Sequence, residues 1–351
     1  MHNKRLLWTI GILTALLTLW RTILMPVIAG NGVALTHISF PLLGAMAAAV
    51  AVLFWLGRTR TPYAPLDDKG GKVVAGEGIL FGTVMLVTSL RDMVVWLTEG
   101  FAPVPNANVT TGLERVTLLA SLLAGIVGGV FLITLFIGWL KAPYSPLSLS
   151  TALPVGIAGV AAGIAVILLT VQHRQEELDR LQAINPLAAQ QAGQRLMFGM
   201  IIGLVIGALL VAAFVLWLKK RTFETGWLWL TPVLWAFARL ARYDVVYATS
   251  VDIAPAVYEF FLYGVALLFL LATARYMTGV QKPTRWMRPL AASTAVLAFS
   301  AALSRLALAL WGQRVAVAYA PIPGAAEMGL GLFALGLACA LAESPVSDQK
   351  H

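Results

Sequence analysis

An all-α fold is expected: a polytopic transmembrane helix bundle of about ten spans with both termini cytoplasmic. Composition, the recurrence of apolar runs and the placement of basic residues predict it. The 351 residues are 59% hydrophobic and 12% charged, with a mean hydropathy of +0.83. A soluble domain carries roughly 25% charged residues, so the solvent of this chain is lipid. Apolar runs close to the ~20 residues that cross ~30 Å of hydrocarbon recur along the whole length. They lie near 6–28, 36–56, 74–96, 116–140, 152–171, 196–218, 226–246, 254–274, 289–311 and 323–342, and the reading is of one integral membrane domain over 1–351.

The first run follows a charged start, as in a signal peptide. It is too long for one, and Arg21 and Pro26 stand where small residues should mark a cleavage site, so it reads as an uncleaved span. Orientation follows from the lysines. With the N-terminus inside, Lys4, Lys69, Lys72, Lys141, Lys219, Lys220, Lys282 and Lys350 all fall on the cytoplasmic side. Arginine is divided, with seven inside and ten outside or in the outer halves of spans. Trp8, Trp55, Trp139, Trp217, Trp227 and Trp286 then mark the inner interface, and Trp96 and Trp311 the outer one. A bacterial cytoplasmic membrane is the expected location.

Small residues explain how such helices pack. The stretch GIVGG at 125–129, GVAAG at 159–163 and the ladder Gly199, Gly203, Gly207 each set glycines on one helix face, where backbones can approach. Trp-Leu, a basic residue and a Pro-Tyr-x-Pro turn recur after spans two and four, which reads as helical hairpins joined on the cytoplasmic side. In the loop around 172–195, Leu178, Leu181 and Ile184 line one side of a surface helix, a place where a partner subunit could dock.

The net charge of +9 would point to nucleic acid in a soluble protein. Here it lies beside apolar spans, where orientation and anionic lipid account for it, and no nucleic-acid partner is expected. Cys339 is a single cysteine, so no intrachain disulfide forms. His2, His37, His173 and His351 have no metal-site spacing, and no phosphate-binding loop or nucleophile elbow occurs. Neither a catalytic residue, a metal nor a cofactor is expected. Asp67 and Asp68 read as a solvated turn, and Glu77 as an interfacial acid at a helix start.

Ionisable residues inside the spans carry the functional signal, because each is costly in lipid and faces the bundle interior or water. Arg21 comes 16 residues after Arg5, or about 24 Å along a helix. Arg91 and Asp92 in span three, Arg239, Arg242 and Asp244 in span seven, and Arg305 in span nine lie at similar depth. The returning helices answer with Asp252, Glu259 and Glu327. Arg21, Arg91, Asp92, Arg239, Arg242, Asp244, Glu259, Arg305 and Glu327 thus form a candidate ligand-binding layer in the outer half. Arginine suits bidentate pairing with carboxylates. One reading is a pocket for a small anionic or zwitterionic ligand in a transporter-like or ligand-sensing protein. A second is an interhelical ion-pair network in a structural or accessory subunit, or a homo-oligomer. A third is a membrane enzyme on lipid-linked substrates, with Glu259 or Asp244 as base. Tyr243, Tyr247, Tyr258 and Tyr263 read as an outer aromatic belt, and Asp252 as a helix cap.

Residues 239–276, RLARYDVVYATSVDIAPAVYEFFLYGVALLFLLATARY, resemble uncharacterised ten-helix membrane proteins of anaerobic Gram-positive bacteria. Those proteins have an Arg-Tyr-rich outer loop followed by a helix that ends in a basic residue. The likeness covers about a tenth of the chain. Where an acid-x-Arg ending belongs, this sequence has Thr273-Ala274-Arg275 and keeps only the basic residue. The resemblance implies an envelope protein and carries over no catalytic residue.

Overall fold

The computed structural model describes residues 2–24, 35–57, 63, 66–99, 112–141, 149–184, 186–219, 225–247, 253–279, 285–310 and 324–341. They form ten α-helices, and no β-strand occurs among the described residues. These are α1 (His2–Leu19), continued by a π-helical turn Trp20–Leu24, α2 (Leu35–Gly57), α3 (Asp68–Glu99), α4 (Gly112–Lys141), α5 (Leu149–Ile184), α6 (Pro186–Lys219), α7 (Leu230–Tyr247), α8 (Ile253–Met277), α9 (Met287–Leu310) and α10 (Ala325–Ala340).

Asp68–Val94, Leu119–Lys141, Ala152–Gln172, Val257–Met277 and Met287–Leu310 are long and apolar enough to cross a membrane. Pro41–Gly57, Gly203–Lys219, Leu230–Leu240 and Ala325–Ala340 are shorter apolar stretches. Large apolar side chains face outward as well as inward, and small hydroxyls are buried with the core. Leu168, Leu209 and Leu216 are 62%, 64% and 61% exposed, whereas Ser293, Thr294 and Ser300 are fully buried. Lipid is the solvent that rewards this arrangement, and the chain is a helical membrane protein. Trp8 and Trp55 face outward as expected of interfacial tryptophans, but Trp139 and Trp217 do not. Their rings pack edge-on against Phe136 and Phe214 inside the protein, because four apolar ring faces are better used in packing than at an interface. The Trp96 side chain and Trp311 lie outside the described residues.

The chain divides into two compact units, Pro146–Glu224 and the remainder, Met1–Ser145 with Thr225–His351. The smaller unit is the α5–α6 hairpin. A Cβ on Gly163 would stand 2.9 Å from the carbonyl oxygen of Gly207, and one on Gly207 would stand 2.9 Å from that of Gly163. The two backbones therefore touch at a glycine-on-glycine crossing, as the 159–163 motif and the Gly203–Gly207 ladder predict. The expected separate surface helix is absent. Helix α5 continues without a break to Ile184, and α6 begins at Pro186. No helix breaker occurs between residues 172 and 184, and Gln175 donates to Asp179 one turn on, so the helix has no reason to stop. At 36 residues α5 is about 54 Å long, and its closed end outruns a bilayer core of ~30 Å.

In the larger unit α3 and α4 form a second hairpin with the same device. A Cβ on Gly82 would meet the Gly129 carbonyl at 2.9 Å, and one on Gly129 would meet the Gly82 carbonyl at 2.7 Å. Helix α9 is the hub, packing against α1, α2, α8 and α10. Sixteen of its 24 residues are buried, so it is lined with alanine and serine that let neighbours come close. Helix α10 lies against both α9 and α3, and α7 bridges α4 and α8. The aromatic side chains of Phe81, Phe136, Phe269 and Phe333 cluster where these helices meet, with Phe81 and Phe333 stacked at 5.7 Å.

Helix α3 starts earlier than expected because Asp67 caps it. Its Oδ1 accepts the Gly70 N–H at 2.7 Å and its carbonyl accepts the Gly71 N–H at 2.8 Å. Asp68 pairs with Lys72 at 2.8 Å in the exposed first turn, which is the solvated role expected of this acidic pair. Glu77 is consequently two turns inside the helix rather than at its start.

Candidate functional site

Arg305 lies on α9 and is buried, 4% exposed. Its Nη1 donates to Glu327 Oε1 at 2.8 Å, and its Nη2 pairs with Glu259 Oε1. The hydroxyl of Tyr263 donates to the same Glu327 oxygen at 2.8 Å. Glu259 and Glu327 are only 3% and 2% exposed. One guanidinium therefore joins α8, α9 and α10 through two carboxylates, in surroundings where such bonds are little screened.

Local structure explains why these groups meet. Glu259 and Tyr263 are four residues apart on α8 and share a face. Glu327 sits in the first turn of α10, where the partial positive charge of the helix start favours a carboxylate. Gly324 starts that helix with φ +80°, and a Cβ there would be 2.6 Å from Ala302 Cα. Only glycine meets both demands, and the close approach sets α10 one turn before Arg305.

Arg21 approaches through the π-helical turn. Its guanidinium carbon stands 3.9 Å from the centre of the Tyr258 ring, the residue next to Glu259. The Tyr258 hydroxyl donates to the Leu297 carbonyl at 2.9 Å and contacts the Ser300 hydroxyl on α9. Within the turn Thr22 donates to the Thr18 carbonyl at 2.8 Å, occupying a backbone acceptor where the α-helical ladder changes register. Arg239 on α7 lies 5.2 Å from the Trp235 ring, and its charge acts on Glu327.

Of the nine residues proposed from sequence, Arg305, Glu259 and Glu327 are thus directly bonded. Arg21 and Arg239 stand beside them. Arg91 and Asp92 lie on α3, a helix other than the three that the Arg305 bonds join. Arg242 and Asp244 belong to the last turns of α7, and their side chains, like Asp252, Tyr243 and Tyr247, lie outside the described ones. Tyr258 and Tyr263 correct an expectation, because both are fully buried rather than in an aromatic belt. Their hydroxyls find partners on α9 and α10 that an interface would not offer. The i,i+4 spacing of Glu259 and Tyr263 was the available signal for this role.

Among the carboxylate oxygens of this centre one is left over. Glu259 Oε2 is buried and has no hydrogen-bond partner among the described residues. In low-dielectric surroundings an unmatched carboxylate oxygen is costly, and it marks the place where a proton or a donor group would be held best.

A second polar contact lies at the other end of α9 and α10. Arg288, 3% exposed, donates through Nε to the Ala338 carbonyl at 3.0 Å, near the end of α10. Glu77 on α3 lays its carboxylate against Gly336, where any Cβ would overlap it. That contact replaces the interfacial role expected of Glu77. Arginines thus tie α9 to α10 at both ends. Among the described residues no group of histidine, cysteine and acidic side chains could hold a metal. Comparison with protein-family models, curated proteins and solved structures finds no match to this chain.

Proposed function

We propose that the chain is a ten-span protein of a bacterial cytoplasmic membrane, N- and C-termini inside, that transports or senses a small zwitterionic solute. The Arg305–Glu259–Glu327 centre is its binding site. The observation that carries this reading is the buried Arg305–Glu259–Glu327 cluster, in which Glu259 Oε2 has no hydrogen-bond partner among the described residues. A helix clamp has no use for that oxygen, and a ligand ammonium has. Energetics point the same way. A buried ion-pair triad can often be replaced by apolar residues at no loss, or with a gain of ~1–4 kcal/mol. Stability alone therefore does not call for three ionised groups here, and intramembrane ionisable residues mark sites by default.

The direct pairing of Arg305 with both glutamates favours a second reading, a packing network in an accessory subunit. One experiment separates the two. Purified protein is melted against a panel of small zwitterions and organic anions, alongside the combined variant Arg305→Met, Glu259→Leu, Glu327→Met. Ligand binding predicts that some panel compounds raise the melting temperature of the parent and that the apolar variant stays folded without responding. A parent that responds to no zwitterion while the variant melts at the same temperature would leave only the packing role.

A further inference from the structure

We infer that Arg21 and the hydroxyl of Tyr258 form the anion end of this site, and that the solute it selects is an aminated dicarboxylate rather than a neutral zwitterion. The inference rests on the ligand-binding reading and names the class of solute.

Charge singles out that class. Among the described residues that the structure places at this centre, Arg305, Arg239 and Arg21 are cationic, and Glu259 and Glu327 are acidic. Three guanidiniums face two carboxylates, and arginine cannot lose its proton to even the count. An excess charge held in surroundings of low dielectric is costly until an opposite charge meets it. A neutral zwitterion brings as much positive charge as negative and leaves the excess standing. One ammonium with two carboxylates removes it.

Geometry assigns the place of the extra carboxylate. Glu327 bonds Arg305 and is acted on by the charge of Arg239, while Glu259 pairs with Arg305. Arg21 instead stands over Tyr258, 3.9 Å from its ring centre. The charges of Arg21 and Arg305 both act on the Tyr258 hydroxyl, so two guanidiniums converge on one point. Tyr258 and Arg305 are sealed in the core, whereas Arg21 is only part-buried and forms the accessible edge of this pair. A guanidinium offers a fork of N–H donors that fits a carboxylate. An aromatic ring beneath it holds the charge in place through its face, without consuming those donors. Tyr258 and Glu259 are consecutive in α8, so the anion end adjoins the carboxylate whose Oε2 suits the ammonium. One small molecule can span both.

The test is the melting of the full-length protein in phosphatidylcholine vesicles, titrated with aspartate and with asparagine. These probes match in length and differ by one charge. Aspartate should act at concentrations about tenfold lower than asparagine, the effect of one charge-assisted hydrogen-bonded contact. Arg21→Gln should erase that preference and leave the asparagine response as in the parent. Arg21→Lys keeps the charge but not the fork, so the preference should shrink without vanishing. Equal responses to the two probes in the parent overturn the inference and leave the ligand-binding reading standing. So does a preference unchanged in Arg21→Gln, or in Arg21→Lys where the glutamine variant does not fold. A response to neither probe overturns it as well, and the melting panel above then decides the ligand-binding reading by itself. A lipid phosphate has the same oxyanion chemistry, so the series is repeated with phosphatidylglycerol in the vesicles. Stabilisation by that lipid in the parent but not in Arg21→Gln, with no aspartate preference in either membrane, would give Arg21 to the lipid and end the dicarboxylate assignment.

Discussion

Helices α5 and α6 are held together by backbone contact at Gly163 and Gly207, whereas α8, α9 and α10 are joined through Arg305 and its two glutamates. Both contacts lie in apolar helices, yet they draw on opposite physics. The glycine crossing gains dispersion contacts and leaves no polar group to satisfy, so it is tolerant of surroundings and intolerant of volume. The arginine centre tolerates changes of shape but not the loss of one charge. Its members were desolvated together, and each is acceptable only while the others remain.

The largest effect should come from breaking the centre from one side. Arg305→Ala strands two buried carboxylates and should cost ~3–5 kcal/mol, read as a large fall in melting temperature or failure to insert. Removing all three charges together, as in the apolar variant above, should cost far less. A triple variant less stable than Arg305→Ala would end the contrast between the regions. Next in size is Gly163→Leu, where the added side chain must displace Val211 and the Gly207 backbone. About 1–3 kcal/mol of overpacking is expected, read as a fall in melting temperature. A cost in Gly163→Leu that changes when Arg305→Ala is combined with it would show that the two regions do not behave independently.

Smaller again is Tyr263→Phe, which removes one donor from Glu327 while Arg305 remains. A hydrogen bond to a charged acceptor contributes ~1.5–3 kcal/mol, and the lower end applies because Glu327 keeps other partners. Denaturation of Tyr263→Phe beside Tyr258→Phe would grade this bond against one that ends on a neutral carbonyl and a serine.

Much of this contrast was legible in the sequence. Apolar length placed the helices, and the glycine motifs at 125–129, 159–163 and 203–207 named real crossings, since small residues on one face have few other uses. The rule that ionisable residues turn inward found Arg305, Glu259 and Glu327. It did not say which arginine pairs with which acid, because depth along a helix ignores rotation about it. Rotation depends on packing, here the close approach of Gly324 to Ala302 and the π-helical turn around Arg21, and neither has a composition signature. Tyr258 and Tyr263 were misplaced for a related reason. Tyrosine is common at interfaces, and only tertiary contacts reveal that these two hydroxyls have buried acceptors. The continuation of α5 beyond residue 172 was missed because a polar helix end outside lipid does not look like a span.

The smallest effect calibrates the rest. Lys72 and Asp68 form an ion pair at 2.8 Å, the same length as the Arg305–Glu327 contact, but their side chains are 49% and 64% exposed. Water screens this pair on both sides, and two long side chains must be ordered to make it. Lys72→Ala should therefore change stability by no more than ~0.5 kcal/mol, and the change should vanish in high salt. The Arg305 centre is buried away from bulk solvent, so the loss in Arg305→Ala should persist at the same salt concentration. Melting both variants at low and high salt makes the comparison direct, with bond length held constant and solvent as the variable. Equal salt sensitivity in the two would mean that water or ions reach Arg305, and the buried centre would then have to be open.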